Sequence, residues 1–321
     1  MAGKVLDLEQ IVSPDNLGCQ IADTWSQWDG ARSEQKERWA ELRNYLFATD
    51  TTTTTNSKLP WKNKTTTPKL AQIRENLFAN YWGSVFPKRK WVKYEPQNSE
   101  AIDKAAQVTN LTMWMVGNPR FKTELSKLVY DYIDYGNAFV MTEYVDERIA
   151  TNPAKSDKVG YVGAVPRRIS PTDIVFNPLA PSFQESPKIV RSMMSMGELR
   201  KSVEQFSQSE DEKQAMTDIY EYMVDVRRQV SEHGLTGSNT FKNAALQIDG
   251  FGSYDRYMSS GYVEILTFYG DIYDPYSGEF LENYKIVVVD RNKVFYKEQN
   301  ISVLSSPPIR HVSWRQRPDN L

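Results

Sequence analysis

The stretch LVYDYIDYGNAFVMTEYV, residues 128–145, contains the change of pattern that decides the fold. Its first half has apolar residues at the three- and four-residue spacing of one helix face, namely Leu128, Val129, Tyr132 and Ile133. Gly136 and Asn137 follow at once, and glycine is common directly after a helix because it adopts a left-handed conformation at little cost. Residues 138–145 are dominated by β-branched, aromatic and other apolar side chains, which favours a strand. The chain therefore changes here from helices to strands.

Upstream of this point the pattern is helical. Residues 20–47 carry tryptophans at helical spacing and Gly30 is expected to bend or break the run. The tryptophan stripe predicts a core-facing surface, with a partner-facing surface as the alternative. A second helix is predicted from Thr67 and Pro68, which suit the cap and first position, to a stop at Pro87. Its apolar face is formed by Leu70, Ile73, Leu77, Tyr81, Trp82 and Val85.

Two further helices are predicted before the transition. One is capped by Ser99, has acidic residues in its first turn, and runs to about Val116. The next begins near Phe121, after the Gly-Asn-Pro sequence 117–119, and ends at Gly136.

A threonine-rich segment separates the first two helical stretches. Residues 51–55 and 65–67 are all Thr, and the intervening sequence NSKLPWKNK shows no apolar alternation. The composition predicts an extended linker or arm. Leu59, Pro60 and Trp61 at its centre are candidates for an arm lying across a neighbouring subunit, and an unattached surface loop is the alternative.

The segment from Lys58 to Lys93 is the most one-sided in charge, with nine basic residues and one acidic residue, Glu75. We expect Lys88, Arg89, Lys90 and Lys93 to contact DNA phosphates or the acids of a neighbouring subunit. The alternative is a basic face exposed to solvent.

Downstream of residue 137 the pattern is that of strands separated by turn residues. Strands are predicted at 138–145, 160–169, 173–176, 189–193, 262–269, 285–290 and 293–296. Residues 197–232 have helical periodicity, and residues 270–283 carry hairpin signals. Helices followed by a mainly antiparallel sheet with a helical insert define an α+β fold.

This pattern predicts three parts along the chain. Residues 1–68 form a helical arm and Thr-rich linker, residues 69–137 a helical part, and residues 138–321 a β-rich part with its insert at about 197–232.

Composition narrows the function class. Of the 321 residues 40% are hydrophobic, enough for a substantial core, and the net charge of −2 gives no global signature of a nucleic-acid binder. The single cysteine, Cys19, excludes an internal disulfide framework and fits a reducing compartment. The N-terminal sequence lacks the apolar core of a signal peptide, and no apolar run approaches the length of a membrane span. We expect a protein made and kept in cytosol-like conditions, without a membrane partner.

The residues also lack a recognisable catalytic constellation. The two histidines, His233 and His311, lie in different regions without a motif, and each is expected at a surface or interface. No P-loop, nucleophile elbow or spaced Cys and His ligand set is present. We therefore expect no enzyme activity, no cofactor and no metal. A carboxylate-dependent enzyme acting on nucleic acid remains an alternative, because such sites leave few sequence signals.

Three stretches together resemble portal proteins of short-tailed bacteriophages, the head-to-tail connectors of the particle. They are ENLFANYWGSVFPKRKWVKYEP (75–96), LVYDYIDYGNAFVMTEY (128–144) and VPRRISPTDIVFNPLAPSF (165–183). In this family a helix closing on Tyr-Gly-Asn turns directly into a strand, and a later strand leads through a Pro-x-Asp step to an Asn-Pro turn. The ending PPIRHVSWRQRPDNL is similar to the approach to the family's central stem.

The resemblance implies a structural subunit of a ring, a dodecamer, at one capsid vertex. Double-stranded DNA enters and leaves the capsid through such a ring, which contacts the major capsid protein, the terminase large subunit and a head–tail adaptor. Stem, clip and crown would be expected after Leu321, so these residues would correspond mostly to the peripheral wing. Another virion structural protein, such as a head–tail adaptor or internal capsid protein, is the alternative.

Overall fold

A computed structural model describes most of the chain. The described residues are 5–7, 17–47, 69–87, 92–146, 161–177, 179–180, 182–205, 210–233, 261–274, 278–299 and 307–314. The chain forms two compact units, each assembled from separate segments. Unit 1 comprises Met1–Gly30 and Asp173–Pro307, and unit 2 comprises Ala31–Thr172 and Pro308–Leu321.

The described elements follow the predicted order of helices, then strands with a helical insert, so the α+β class is confirmed. The helices are α1 (Leu17–Ala31), α2 (Ser33–Phe47), α3 (Lys69–Val85), α4 (Ile102–Gly117), α5 (Pro119–Tyr135), α6 (Met196–Gln205) and α7 (Glu210–His233). The strands are β1 (Val5–Asp7), β2 (Asn137–Asp146), β3 (Val162–Ile169), β4 (Ile174–Phe176), β5 (Lys188–Ser195), β6 (Tyr262–Asp274), β7 (Glu279–Val289), β8 (Lys293–Gln299) and β9 (Ile309–Ser313).

Unit 1 is built on an antiparallel sheet in the order β4-β5-β6-β7-β8, to which β1 adds in parallel along the end of β6. Alternate residues of a strand point to opposite faces, so the sheet buries two separate clusters. On one face Ile21, Ala22 and Trp25 of α1 pack against a set that includes Leu266 and Phe268. The opposite face packs against α6 and α7. The buried residues of this second cluster, from the two helices and the sheet, are Leu199, Val203, Met216, Met223, Val263, Ile265, Val289 and Phe295.

Unit 2 combines helices with a three-stranded antiparallel sheet in the order β3-β2-β9. Helix α5 lies against β2 and β3, and α3 and α4 pack on α5. Strand β9 comes from the far end of the chain and pairs Asn137 with Ser313 and Met141 with Ile309. The sheet of unit 2 is therefore completed by β9, which comes after all the strands of unit 1 in the sequence.

The predicted helical run 20–47 is divided as expected, but the break lies at Arg32 between α1 and α2 rather than at Gly30. Arg32 is held by its own contacts, because its guanidinium donates to the carbonyls of Pro171 at 2.6 Å and Thr172 at 2.7 Å. The predicted ending of α5 is confirmed, since Gly136 is its left-handed cap with φ 71°.

One predicted helix start was wrong, and another lies close to its predicted place. Ser99 does not cap α4, because residues Ser99–Ala101 form a short 3-10 turn that precedes it and neither Asn98 nor Ala101 makes a side-chain cap bond. Helix α5 begins at Pro119, two residues before Phe121. There the Asn118 side chain accepts a hydrogen bond from the Arg120 N–H at 2.9 Å, and proline suits the first turn.

Strand bounds differ from prediction mainly by extension. The hairpin signals at 270–283 are confirmed, but β6 continues to Asp274 and β7 starts at Glu279, so both strands reach into the segment. A register shift lies between Gly270 and Ile272, where Gly270 has φ 151°. The helical insert consists of α6 and α7. Strands β1 and β9 were not predicted. Each is short, and its hydrogen bonds are made with a strand that is distant in the sequence.

Helix α1 contains a matched pair of glycines that tests its docking in unit 1. A Cβ at Gly18 would lie 2.3 Å from the carbonyl oxygen of Asn292, whereas a Cβ at Gly30 would meet no heavy atom within 4 Å. We expect Gly18→Ala to lower the free energy of unfolding in urea by about 1–3 kcal/mol through overpacking. Gly30→Ala should leave it unchanged or raise it by up to about 1 kcal/mol. Equal losses in both variants would contradict this close approach.

Candidate interaction surfaces

An ion-pair network joins α3 and α5 in unit 2. The Arg74 guanidinium donates two hydrogen bonds to the Asp134 carboxylate, both of 2.6 Å, and its carbon lies 4.2 Å from the ring centre of Tyr130. The Tyr130 hydroxyl donates to Glu75 at 2.9 Å. Partial burial and the bond to Glu75 raise the pKa of Tyr130, and the bond to Asp134 raises the pKa of Arg74. Both groups are therefore held in their ordinary states at neutral pH, which suits a structural network.

A second pair connects α5 to the sheet of unit 2. Arg168 on β3 donates to both carboxylate oxygens of Asp131, at 2.5 and 2.7 Å, and Asp131 is 4% exposed. Burial raises the pKa of Asp131, and the facing guanidinium opposes that rise. The Arg168 N–H also donates to Glu124 of α5 at 3.0 Å. Two carboxylates from one helix thus fix a single strand residue and set the position of α5 on the sheet.

Aromatic rings extend this helical surface. Phe78 stacks on Tyr130 with ring centres 4.2 Å apart, and Trp82 lies between Phe78 and Phe86 along the same helix end. Tyr132 of α5 stacks on Trp314, 5.4 Å away. The backbone N–H of Trp314 donates to the Gly136 carbonyl at 2.8 Å, which ties the end of β9 to the turn between α5 and β2.

Helices α3 and α4 of unit 2 leave apolar side chains in solvent. No described residue of α3 is buried, and its predicted apolar face is only partly covered, since Leu70, Ile73 and Val85 are exposed. Helix α4 likewise exposes Ile102, Val108, Leu111 and Trp114, the last two at 51% and 53%. Scattered single apolar residues are normal on a surface, but repeated ones along two helices are typical of an interaction surface. We call the exposed residues of α3 and α4 the apolar helix surface.

Two ion pairs of unit 1 lie around the turn between β7 and β8. Asp290 and Arg291 both have a left-handed backbone, with φ 51° and 57°, which is uncommon for residues other than glycine. Arg227 of α7 donates to Asp290 at 2.8 and 3.1 Å, and Arg291 donates to the buried Glu264 at 2.6 and 2.9 Å. These pairs hold the turn in place against β6 and α7 and use cations of unit 1 internally.

The outer face of α7 is acidic. Exposed carboxylates occur along it between Glu210 and Asp225, at Glu210, Asp211, Glu212, Asp218, Glu221 and Asp225. Lys213 and Arg228 are the other charged residues on this part of the helix besides Arg227, which is buried. Tyr222, 50% exposed, and Val224 lie among the acids. We call the residues Asp211, Asp218, Glu221 and Asp225 the acidic stripe.

The residues selected from the sequence have different outcomes. Lys93 is exposed and lies 3.8 Å from Glu95, so it is available to a partner. Lys88, Arg89 and Lys90 lie outside the described residues, as do Leu59, Pro60 and Trp61 of the predicted arm. Their predicted contacts remain predictions. The acidic stripe and the apolar helix surface were not selected, although the charge pattern of residues 210–225 could have indicated the stripe.

The two histidines belong to different units of the chain. His233 is the last residue of α7. His311 lies in β9, half-buried rather than at an open surface, with Nε2 2.9 Å from Asn137 Oδ1 and its ring stacked on Phe139 at 4.7 Å. Burial lowers the pKa of His311. Its contacts are those of a packed residue within a sheet.

The described part of the chain contains no group of three or more His, Cys, Asp or Glu side chains arranged to hold a metal ion. Within the same residues, no helix has the length and apolar character needed to cross a membrane. Comparisons of the sequence with protein-family models and with curated proteins found no match.

The pair Asp131–Arg168 predicts a large stability difference between two arginines of unit 2. Arg168→Met should lower the free energy of unfolding by about 3 kcal/mol, because it leaves the buried carboxylate of Asp131 unpaired. Arg38→Met, which removes an exposed pair with Glu34, should change it by at most about 0.5 kcal/mol. The double variant Asp131→Asn/Arg168→Met should recover part of the loss. Similar changes in the free energy of unfolding in urea for Arg168→Met and Arg38→Met would contradict this prediction.

His311 predicts a pH-dependent contribution to stability. Because burial lowers its pKa in the folded state, the unfolded chain binds a proton on this ring first as the pH falls below the ordinary value of 6.5. The contribution of neutral His311 to stability is complete above pH 6.5. It is lost as the pH falls from 6.5 to the lowered pKa of the folded state. The drop in unfolding free energy from pH 7.5 to about 5.5 should therefore be smaller in His311→Gln than in the unchanged protein. An identical drop in both would contradict the assignment.

Proposed function

We propose that the chain is a structural subunit of a ring at one vertex of a bacteriophage capsid, in the manner of a portal protein. The ring would be a homo-oligomer, a dodecamer by analogy with the family, through which double-stranded DNA is packaged and ejected. It would contact the major capsid protein, the terminase large subunit and a head–tail adaptor. These residues would form mostly the peripheral wing, located in the virion and assembled in the host cytoplasm.

Local structure agrees with the phrases on which the resemblance rests. Helix α5 ends at a left-handed Gly136 and β2 begins at the next residue. Strand β3 leads through residues 170–173 into β4, and Asn177 then begins a turn in which its side chain accepts from the Leu179 N–H at 3.0 Å. The phrases at 128–144 and 165–183 therefore have a helix, turn and strand pattern that supports the proposal, and residues 88–91 of the phrase at 75–96 lie outside the described residues.

The apolar helix surface is the observation that carries the proposal of a ring-building role. Leu70 and Ile73 of α3, and Leu111 and Trp114 of α4, are each at least 43% exposed. Full burial of an exposed apolar side chain contributes about 1.5–3 kcal/mol. These side chains are about half exposed, so each has roughly half of that to gain, which favours association between subunits. A ring buries the same surface on every copy through one repeated contact.

The proposal also assigns no enzyme activity, metal or cofactor to the chain. Its support is chemical. Among the described residues, the buried carboxylates Asp131 and Glu264 are paired with arginines, and the two histidines lie on different elements, α7 and β9. No particular observation favours the carboxylate-dependent enzyme considered from the sequence.

Another virion structural protein, such as a head–tail adaptor or internal capsid protein, is the second candidate. The apolar helix surface would serve such a subunit equally well, because it favours association without specifying the geometry of the assembly. Labelling the protein within purified particles separates the two: a portal occupies one vertex inside the shell, whereas an internal protein does not.

Electron microscopy of the negatively stained full chain tests the ring directly. We expect closed rings with cyclic symmetry. Leu111→Glu should abolish them, because it places a charge on the apolar helix surface. The same substitution at Leu179, an exposed leucine of unit 1, should leave rings intact. A strictly monomeric or dimeric wild type, or equal loss of rings in both variants, would contradict the proposed role.

A further inference from the structure

Strand β6 of unit 1 has a segment that β5 does not reach. Strand β5 begins at Lys188, which pairs with Tyr269 of β6. The preceding residue, Pro187, has no backbone N–H to donate to a further pair. A Cβ at Gly270 would lie 2.9 Å from the Pro187 Cα, so the pairing of β5 stops where these two residues approach each other. Beyond that point residues 271–273 of β6 have an edge that β5 leaves uncovered, and we call them the β6 slot.

Strand β1 fills this slot within a single copy of the chain. It runs parallel to β6, with Val5 opposite Asp271 at its start. The next residue, Leu6, lies opposite the fully buried Ile272 and packs against the core cluster that α1 shares with the sheet. The slot therefore takes a short parallel strand through main-chain pairing and prefers an apolar side chain at the centre of that strand.

The start of α1 lies at the other end of the sheet. The Cys19 Sγ is 3.3 Å from Asn292 Oδ1, in the turn between β7 and β8. That turn follows Val289, which pairs with Ile265 of β6. Because a strand rises about 3.3 Å per residue, this end of β6 lies about 26 Å from Tyr273, the residue opposite the end of β1.

The connection between β1 and α1 is short for this distance. Nine residues, 8–16, join the two elements. A chain covers at most about 3.3–3.6 Å per residue, so the span takes up most of the reach of this connection. Pairing β1 with the slot of its own copy therefore restricts the conformations open to the connection and costs entropy. The slot of another copy is not bound to that fixed distance.

We propose that, in the assembled protein, β1 of each copy fills the β6 slot of a neighbouring copy. Every copy has one donor strand and one slot, so identical copies can fill all slots by passing the strand in one direction around a closed ring. The exchanged strand makes the same backbone pairing and the same Leu6 packing as in its own slot, so the exchange loses no contact. This inference rests on the proposed ring function and names one contact between its subunits.

A second copy is the occupant that fits the slot because the matching strand is part of every chain. A strand from another protein would have to displace β1, and three residues of main-chain pairing give it little advantage in doing so. In a ring, each neighbour carries its own β1 tethered to α1, which keeps the donor strand at a high local concentration beside the slot.

Disulfide cross-linking of the full chain shows which copy supplies the strand. All variants carry Cys19→Ser, which removes the native thiol. The exchange variant adds Val5→Cys and Asp271→Cys, because residues paired on adjacent strands are close enough for a disulfide. The control variant adds Val5→Cys and Tyr262→Cys, whose second cysteine is exposed but lies at the opposite end of β6.

Under mild oxidation, the exchange variant should give a ladder of covalently joined chains on a non-reducing denaturing gel. Addition of a reductant should collapse the ladder to the monomer. An equimolar mixture of Val5→Cys chains and Asp271→Cys chains, assembled together, should give covalent dimers and nothing larger, because each chain offers one thiol. The control variant should run as a monomer on the same gel.

The substitution Leu6→Asp tests the contact without cysteines. It would place a carboxylate against the apolar core cluster, so its rings should need about tenfold more protein or more to form. Leu179→Asp, at an exposed leucine of unit 1, is the matched control and should assemble like the unchanged protein. Rings of Leu6→Asp that form at the concentration of the unchanged protein would overturn the exchange.

The outcomes separate strand exchange from the ring proposal. If the exchange variant forms rings in electron micrographs but gives only internally cross-linked monomers, β1 stays in its own copy; the exchange fails and the ring stands on other contacts. Rings that give no cross-link at all, or a ladder of equal strength in the control variant, also overturn the exchange. An unchanged protein that remains monomeric at every concentration overturns both.

Discussion

The turn at Gly136 is the constraint on which unit 2 depends. The left-handed backbone of this residue, with φ 71°, ends α5 and lets β2 begin immediately. Its carbonyl also accepts the Trp314 N–H, so the same turn fixes the end of β9. A helix, the central strand and a strand from the far end of the chain therefore meet at one residue. The aromatic contact of Tyr132 with Trp314 closes the junction from the side of the helix.

Buried ion pairs fix the positions of helices on the sheets where apolar packing alone does not determine them. Asp131–Arg168 fixes α5 on β3, and Arg227–Asp290 fixes α7 on the turn after β7. A buried pair adds little net stability compared with apolar residues of the same volume, but losing one partner is strongly unfavourable. Such pairs therefore specify one arrangement of helix on sheet.

The exposed apolar side chains of α3 and α4 are the surface feature on which the proposed association rests. The apolar helix surface favours burial against another protein, because exposed apolar side chains are repeated along both helices.

The sequence by itself determined the α+β class, the helix ending at Gly136 and the insert containing α6 and α7, because these depend on local periodicity and turn chemistry. It also determined the charge of every segment. Only the tertiary structure decided that β9 completes the sheet of unit 2 and that β1 extends the sheet of unit 1, because short strands acquire their hydrogen bonds from distant partners.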